Sequence, residues 1–167
     1  IFGVSFLIDF FFAPPLCKEK PTMEFMKTNT SFALKKLLAT FSFGIAGAKE
    51  KVFKSDSSDG GKTWCKAYDT GLLNPNSGID LVKNKDELYL VYNPTDKNWG
   101  DRTPLLLAVS KDNGNTWEDI LTFEEAEVGR EEDVEYSYPA ITVHNGKLHI
   151  TYTYNRVSIV YWEVEVK

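Results

Sequence analysis

Short apolar runs separated by turn-forming residues occupy most of this chain. From residue 78 onward the order is a short run (78–83), a polar turn (84–87), a second run (88–92), a third (104–109) and a fourth (116–121). Runs of this length, rich in β-branched and aromatic residues and bounded by Gly, Asn, Asp and Pro, predict β-strands. The same order restarts at 138–143, turns at Asn145-Gly146, and continues at 148–154 and 158–166. Upstream, 52–54 and 64–68 form an earlier pair. The pattern predicts an all-β chain of antiparallel strands.

Residues 1–48 follow another rule. The first sixteen are apolar but broken by Asp9 and Pro14-Pro15, so they fall short of the about 18 uninterrupted residues that a spanning helix needs. No integral membrane span is expected. From Met26, the residues Lys27, Lys35 and Lys36 precede an apolar stretch (37–45), and Ala46-Gly47-Ala48 fits an A-x-A cleavage site. Residues 26–48 therefore read as a possible signal peptide, which would make the product secreted or periplasmic. As folded chain, 31–48 would form a helix, because Leu34, Leu37, Leu38 and Phe41 share one helical face. The expected division is an apolar segment, 1–48, and a β domain, 49–167.

A repeat lies within the β domain. Ser57-Ser58-Asp59-Gly60-Gly61-Lys62-Thr63-Trp64 returns as Ser110-Lys111-Asp112-Asn113-Gly114-Asn115-Thr116-Trp117, so that Ser110 follows Ser57 by 53 residues. Ser and Asp hydrogen-bond the backbone of their own turn, Gly supplies a conformation closed to other residues, and Trp brings a large ring to bury. A period near fifty residues with strands between the copies indicates a stacked or radial β architecture.

The S-x-D-x-G-x-T-W octapeptide is the Asp box, and with it the chain resembles the sialidase superfamily of β-propellers. Thr70 to Leu81, Asp101-Arg102-Thr103-Pro104-Leu105, Glu135-Tyr136-Ser137-Tyr138-Pro139-Ala140-Ile141 and His149 to Tyr154 look like consecutive pieces of such a domain, from about residue 50 to residue 163. The resemblance implies a six-bladed propeller of four-stranded antiparallel blades. Against it, the strands amount to half a blade, a full blade and three quarters of another, which predicts about half of a ring. Open sheet edges then predict self-association.

The resemblance also implies a chemistry. Sialidases use a Tyr nucleophile, since a carboxylate would be repelled by the anionic sugar, and the Tyr is activated by a base, usually Glu. Tyr136, followed by Ser137, stands where the nucleophile stands in the family, and Glu135 is the candidate base. Adjacent strand residues point to opposite faces, so that pairing needs the loop to turn at Glu135. Arg102 and Arg156 each precede a third strand, 54 residues apart, and would grip the sugar carboxylate with their planar guanidinium forks. Asn76, Ser77 and Tyr154 fall on the same rim and join them as candidate substrate-binding residues. The family's general acid and a third arginine belong to blades upstream. The expected activity is hydrolysis of a terminal sialic acid from a glycan or sialoglycoconjugate. A non-catalytic carbohydrate-binding or protein-interaction propeller of the same fold is the alternative, because fold does not fix function. For the tyrosines the competing reading is core filling, and for the arginines it is ordinary loop ion pairs.

Composition narrows the partners. A net charge of −5 argues against nucleic acid, and two cysteines, Cys17 and Cys65, make no disulfide framework. Residues 124–135 are strongly acidic and read first as a solvated loop rather than a cation site. Gly61-Lys62-Thr63 is not a phosphate loop, since Asp56 stands where that motif needs Gly. His144 and His149 have no Cys or further His near them in sequence, so no metal and no cofactor is expected.

Overall fold

Alternation along the strands and the turn chemistry between them produce three antiparallel sheets. The computed structural model describes residues 37–41, 50–59, 61–97 and 99–166. The expectations for residues 1–16, and for all of 26–48 except 37–41, lie outside the described residues. Strands β1 (Leu37–Phe41), β2 (Lys51–Ser57) and β3 (Tyr68–Leu73) form the first sheet in the order β1-β2-β3. Strands β4 (Asp80–Asn84), β5 (Glu87–Tyr92), β6 (Leu105–Ser110) and β7 (Glu118–Glu124) form the second, in chain order. Strands β8 (Tyr136–His144), β9 (Lys147–Tyr154) and β10 (Ser158–Glu165) form the third, in the order β10-β9-β8. The meander sheets, with a full four-stranded blade in the middle, are those of a partial β-propeller.

Two expectations change. The helix expected over 31–48 is replaced at Leu37–Phe41 by β1, which pairs antiparallel with β2 from Leu37 opposite Ser57 to Phe41 opposite Phe53. A short apolar run has no decisive period of its own, and the free edge of β2 offers it a full ladder of hydrogen bonds. The first sheet thus reaches upstream of residue 49 and has three strands. Its last strand also starts later than expected, at Tyr68 rather than Trp64. The residues between close the turn instead, with the Cys65 amide donating to the Asp56 carbonyl at 2.9 Å.

The core follows from the middle sheet being covered on both faces. β6 is buried at every position, the continuous apolar pattern of a strand with neighbours on both sides. On one face Tyr89, Leu105 and Leu107 meet Ile141, Ile150 and Tyr152 of the third sheet. On the other, Leu90, Tyr92, Leu106 and Ala108 are joined by Leu72 of the first sheet and by Trp117. Polar bonds cross the same seams. Lys54, 2% exposed, sends its Nζ from β2 to the Asn113 carbonyl at 2.6 Å. The Asp80 carboxylate accepts the Ile141 amide at 2.8 Å. Gly114 is needed twice over: its φ is +78°, and a Cβ there would lie 3.4 Å from both Lys54 Nζ and Trp117 Cζ2.

The two Asp boxes join β2 to β3 and β6 to β7 and share one set of bonds. Ser57 Oγ donates to Asp59 Oδ1 at 2.8 Å and accepts the Gly61 amide, while Asp59 accepts the Lys62 and Thr63 amides and the Thr63 hydroxyl. Ser110, Asp112, Gly114, Asn115 and Thr116 make the same set. Donors from Thr63, then Ser57, hold the Asp59 carboxyl well below the usual carboxylate range, and those from Thr116 and Ser110 do the same for Asp112. A carboxyl with a folded-state pKa below its unfolded value contributes stability that is complete above about pH 4 and is lost as pH falls below it. The urea midpoint of the chain should therefore drop between about pH 6 and about pH 3. An Asp59→Asn/Asp112→Asn double variant should be weaker at the higher pH and lose less on acidification. Equal losses in the two proteins would show that the boxes do not carry the acid sensitivity.

Candidate functional site

The loops β3–β4, β5–β6, β7–β8 and β9–β10 gather on the rim opposite the Asp boxes, and backbone bonds tie them together. The Trp99 amide donates to the Pro75 carbonyl at 3.1 Å, the Tyr136 amide to the Arg102 carbonyl at 3.0 Å, and the Asn155 amide to the Glu135 carbonyl at 2.7 Å. Arg102 and Glu135 also form an isolated parallel bridge. Residues 33 positions apart are thus held side by side before their side chains are considered.

Glu135 is the hub of this rim. Arg102 Nη1 reaches Glu135 Oε1 at 2.9 Å, and Arg156 Nε reaches Oε2 at 2.9 Å. Ser137 Oγ donates to Oε1 at 2.6 Å, and the Glu135 amide donates to Asn155 Oδ1 at 2.7 Å. Burial opposes ionisation of this carboxyl, but the Ser137 hydroxyl and the two guanidinium groups outweigh it and keep its pKa below the ordinary glutamate value. The two arginines differ in exposure: the Arg102 side chain is 15% exposed and that of Arg156 64%. Arg102 additionally lies over the Tyr138 ring, 5.2 Å from its centroid. The arrangement holds two cations from loops of different sheets around one carboxylate.

Tyr136 is buried in the core between the second and third sheets. Its ring packs against Tyr154, with centroids 5.2 Å apart. Burial, then Tyr154 and the charge of Glu124, push its hydroxyl pKa up to about 12. Glu124 accepts the Tyr152 hydroxyl at 2.8 Å, and Trp162 Nε1 donates to the same Tyr152 oxygen at 3.1 Å. Tyr154, by contrast, is 36% exposed.

The β3–β4 loop is scaffold at its base. Asn74, Ser77 and Asn93 are all buried. Ser77 Oγ donates to Asn93 Oδ1 at 2.9 Å, and Asn93 Nδ2 donates onward to the carbonyls of Pro104 and Tyr136. Asn76 takes the left-handed conformation, with φ 61°, at the tip of this turn. The structure therefore brings Arg102, Arg156 and Glu135 into direct contact, places Tyr136 and Tyr154 ring to ring, and uses Ser77 to brace the loop that carries Asn76.

Ser137, Asn155, Glu124 and Tyr138 belong to this neighbourhood and were not singled out from sequence. Asn155 sits in an Asn-Arg turn between two strands, a recognisable position for a left-handed residue, and its φ is 50°. Ser137 and Tyr138 lie in the stretch that resembles the family, and no local pattern marks Glu124. On the opposite rim, a hollow of about 460 Å³ beside the first Asp box is lined by Asp56, Ser57, Ser58, Thr63, Trp64 and Cys65. Among the described residues no group of three or more His, Cys, Asp or Glu could hold a metal ion, and no helix is long and apolar enough to cross a membrane.

No curated protein matches the chain. A family profile described as BNR repeat-like domain matches residues 37–150, which takes in β1, both Asp boxes, Arg102 and the Glu135-Tyr136 pair. Repeat, sheet topology and profile agree, and the chain belongs to the BNR repeat-like family of the sialidase superfamily.

Proposed function

We propose that this rim is a sialidase-type site for the terminal acidic sugar of a glycan, with Arg102 and Arg156 holding the sugar carboxylate. The observation that carries the reading is the convergence of two arginines, from separate sheets, on a single carboxylate. Each contributes one guanidinium nitrogen to Glu135 in these ion pairs, Nη1 from Arg102 and Nε from Arg156, and the other nitrogens of each fork are the ones offered to a ligand. In the hydrolytic form, Tyr136 Oη attacks the anomeric carbon, a base takes the phenol proton, and the leaving oxygen departs with a proton from a general acid. Glu135 is the nearest carboxylate in sequence for the base.

A second reading has its own support. A phenol pushed up to about 12 is un-ionised at neutral pH, and a carboxylate held by two guanidinium groups is a weak base. Both favour a glycan-binding domain that does not turn over its ligand. Calorimetric titration with 3′-sialyllactose and lactose, alongside release of a fluorogenic sialoside, separates the readings. The sialylated sugar should bind preferentially, and Arg102→Ala should weaken it about 10- to 100-fold, as expected for a charge-assisted contact. Turnover that disappears in Tyr136→Phe while binding remains identifies the hydrolase; binding without release identifies the binding domain. Equal affinity for the two sugars, unaffected by Arg102→Ala, would sink the acidic-sugar proposal.

A further inference from the structure

Tyr138 occupies a break in β8. The pairing of β8 with β9 steps from Ser137 opposite Thr153 to Ala140 opposite Thr151, so one extra residue is accommodated in β8. Tyr138 takes a φ of 53° there, a left-handed conformation that is strained for a bulky aromatic residue. Bulges of this kind re-aim a side chain out of the strand's alternation. Ser137 and Pro139 on either side of it are buried, while Tyr138 itself is 41% exposed. A tyrosine that served only to fill the core would lie as Tyr89 does, 2% exposed.

The surroundings of the ring are those of the rim site. Arg102 lies over it at 5.2 Å, and Arg102 and Arg156 meet at Glu135, three residues before it. Gly78, from the loop that carries Asn76 and Ser77, stands beside it, where a Cβ would come within 3.8 Å of Tyr138 Cα and 3.9 Å of Cδ1. The neighbouring loop thus brings a hydrogen rather than a side chain to the ring. An exposed aromatic face carries the negative part of its quadrupole outward, and a pyranose ring presents C–H groups that match it.

We propose that Tyr138 is a binding residue of this site, the platform against which the sugar ring stacks while its carboxylate meets the arginines. The proposal rests on the acidic-sugar reading above and adds the residue that contacts the ring. The Tyr138→Gly and Tyr138→Phe variants of the full chain test it by calorimetric titration with 3′-sialyllactose and lactose, together with thermal unfolding. Glycine relieves the strained φ and removes the ring, so this variant should melt at the same or a higher temperature. Its affinity for 3′-sialyllactose should nevertheless fall at least about tenfold, or 1.4 kcal/mol. Tyr138→Phe should stay within about twofold of the parent, since the ring face is kept.

Unchanged affinity in Tyr138→Gly would overturn the platform and, provided Arg102→Ala still weakens binding, leave the acidic-sugar reading standing. Joint loss of binding and of thermal stability in Tyr138→Gly would make the ring structural and also overturn it. Equal binding of lactose and 3′-sialyllactose by the parent, with both weakened in Tyr138→Gly, would support the platform and overturn the acidic-sugar reading. Binding of neither sugar by the parent would overturn both.

Discussion

Leu107→Ala should lower the stability of the folded chain by about 3 kcal/mol, within the range for truncating a fully buried leucine. Leu107 is 0% exposed on β6 and belongs to the cluster that joins the second sheet to the third. Truncation removes apolar contact on that seam and leaves a cavity that two rigid sheets close only in part. Domains of this size carry about 5–15 kcal/mol in total, so the loss is a large share. Ile159→Ala, at a position 75% exposed on β10, supplies the control and should stay within about 0.5 kcal/mol. Urea denaturation followed by circular dichroism compares them directly. If the two variants shifted equally, the seam between second and third sheets would not be the main source of cohesion.

Lys54 offers the second large effect, on a different seam. Its ammonium is donor to the Asn113 carbonyl, lies 3.5 Å from Asp56 Oδ1 and sits 5.9 Å from the Tyr68 ring centroid, all in a position where the side chain is 2% exposed. Lys54→Met keeps most of the volume but withdraws the donor from a part-buried carbonyl and the cation from a partly buried carboxylate. Leaving such groups short of a partner costs about 1–3 kcal/mol, and Lys54→Ala should add a cavity on top of that. The damage should be local. Hydrogen exchange in β2 should speed up in Lys54→Met, while the amides of β6 and β9 keep their protection, because the first sheet meets the second with fewer buried partners than the second meets the third. Uniform acceleration across all three sheets would contradict a lysine that works at one seam.

What could be read from the sequence follows from the range of the interactions. Each Asp box was legible because Ser57 to Thr63, and Ser110 to Thr116, satisfy one another within four residues. The strands of the second and third sheets were legible for the same reason, their turns lying in the sequence beside them. The helix assigned around Leu37 failed because the partner that makes it a strand, β2, lies downstream of a segment with no decisive period. The site was legible as a set of names only. Arg102, Glu135 and Arg156 were candidates, but their convergence joins positions 33 residues apart, and their mutual pairing could not be read from any of them singly. Tyr138 was legible only as an aromatic strand residue that would fill the core, and it is 41% exposed: a left-handed tyrosine violates local preference, so only the completed fold can reveal it.

The closed bonding of the Asp boxes also bears on how the chain reaches its fold. The bonds that Ser110 and Asp112 make in the second box all fall between Ser110 and Thr116, so this turn can organise before Lys54 of the first sheet docks on the Asn113 carbonyl. Hairpins close in about 1–10 μs, far sooner than distant sheets can meet. The box then sets the first pairs of β6 with β7, Val109 opposite Glu118 and Ala108 opposite Asp119, while the hydrophobic seams are still open. A slip of one residue there would turn Ala108 away from its seam, and the box removes that error at the earliest step, making each octapeptide a register key for the strand ends that flank it.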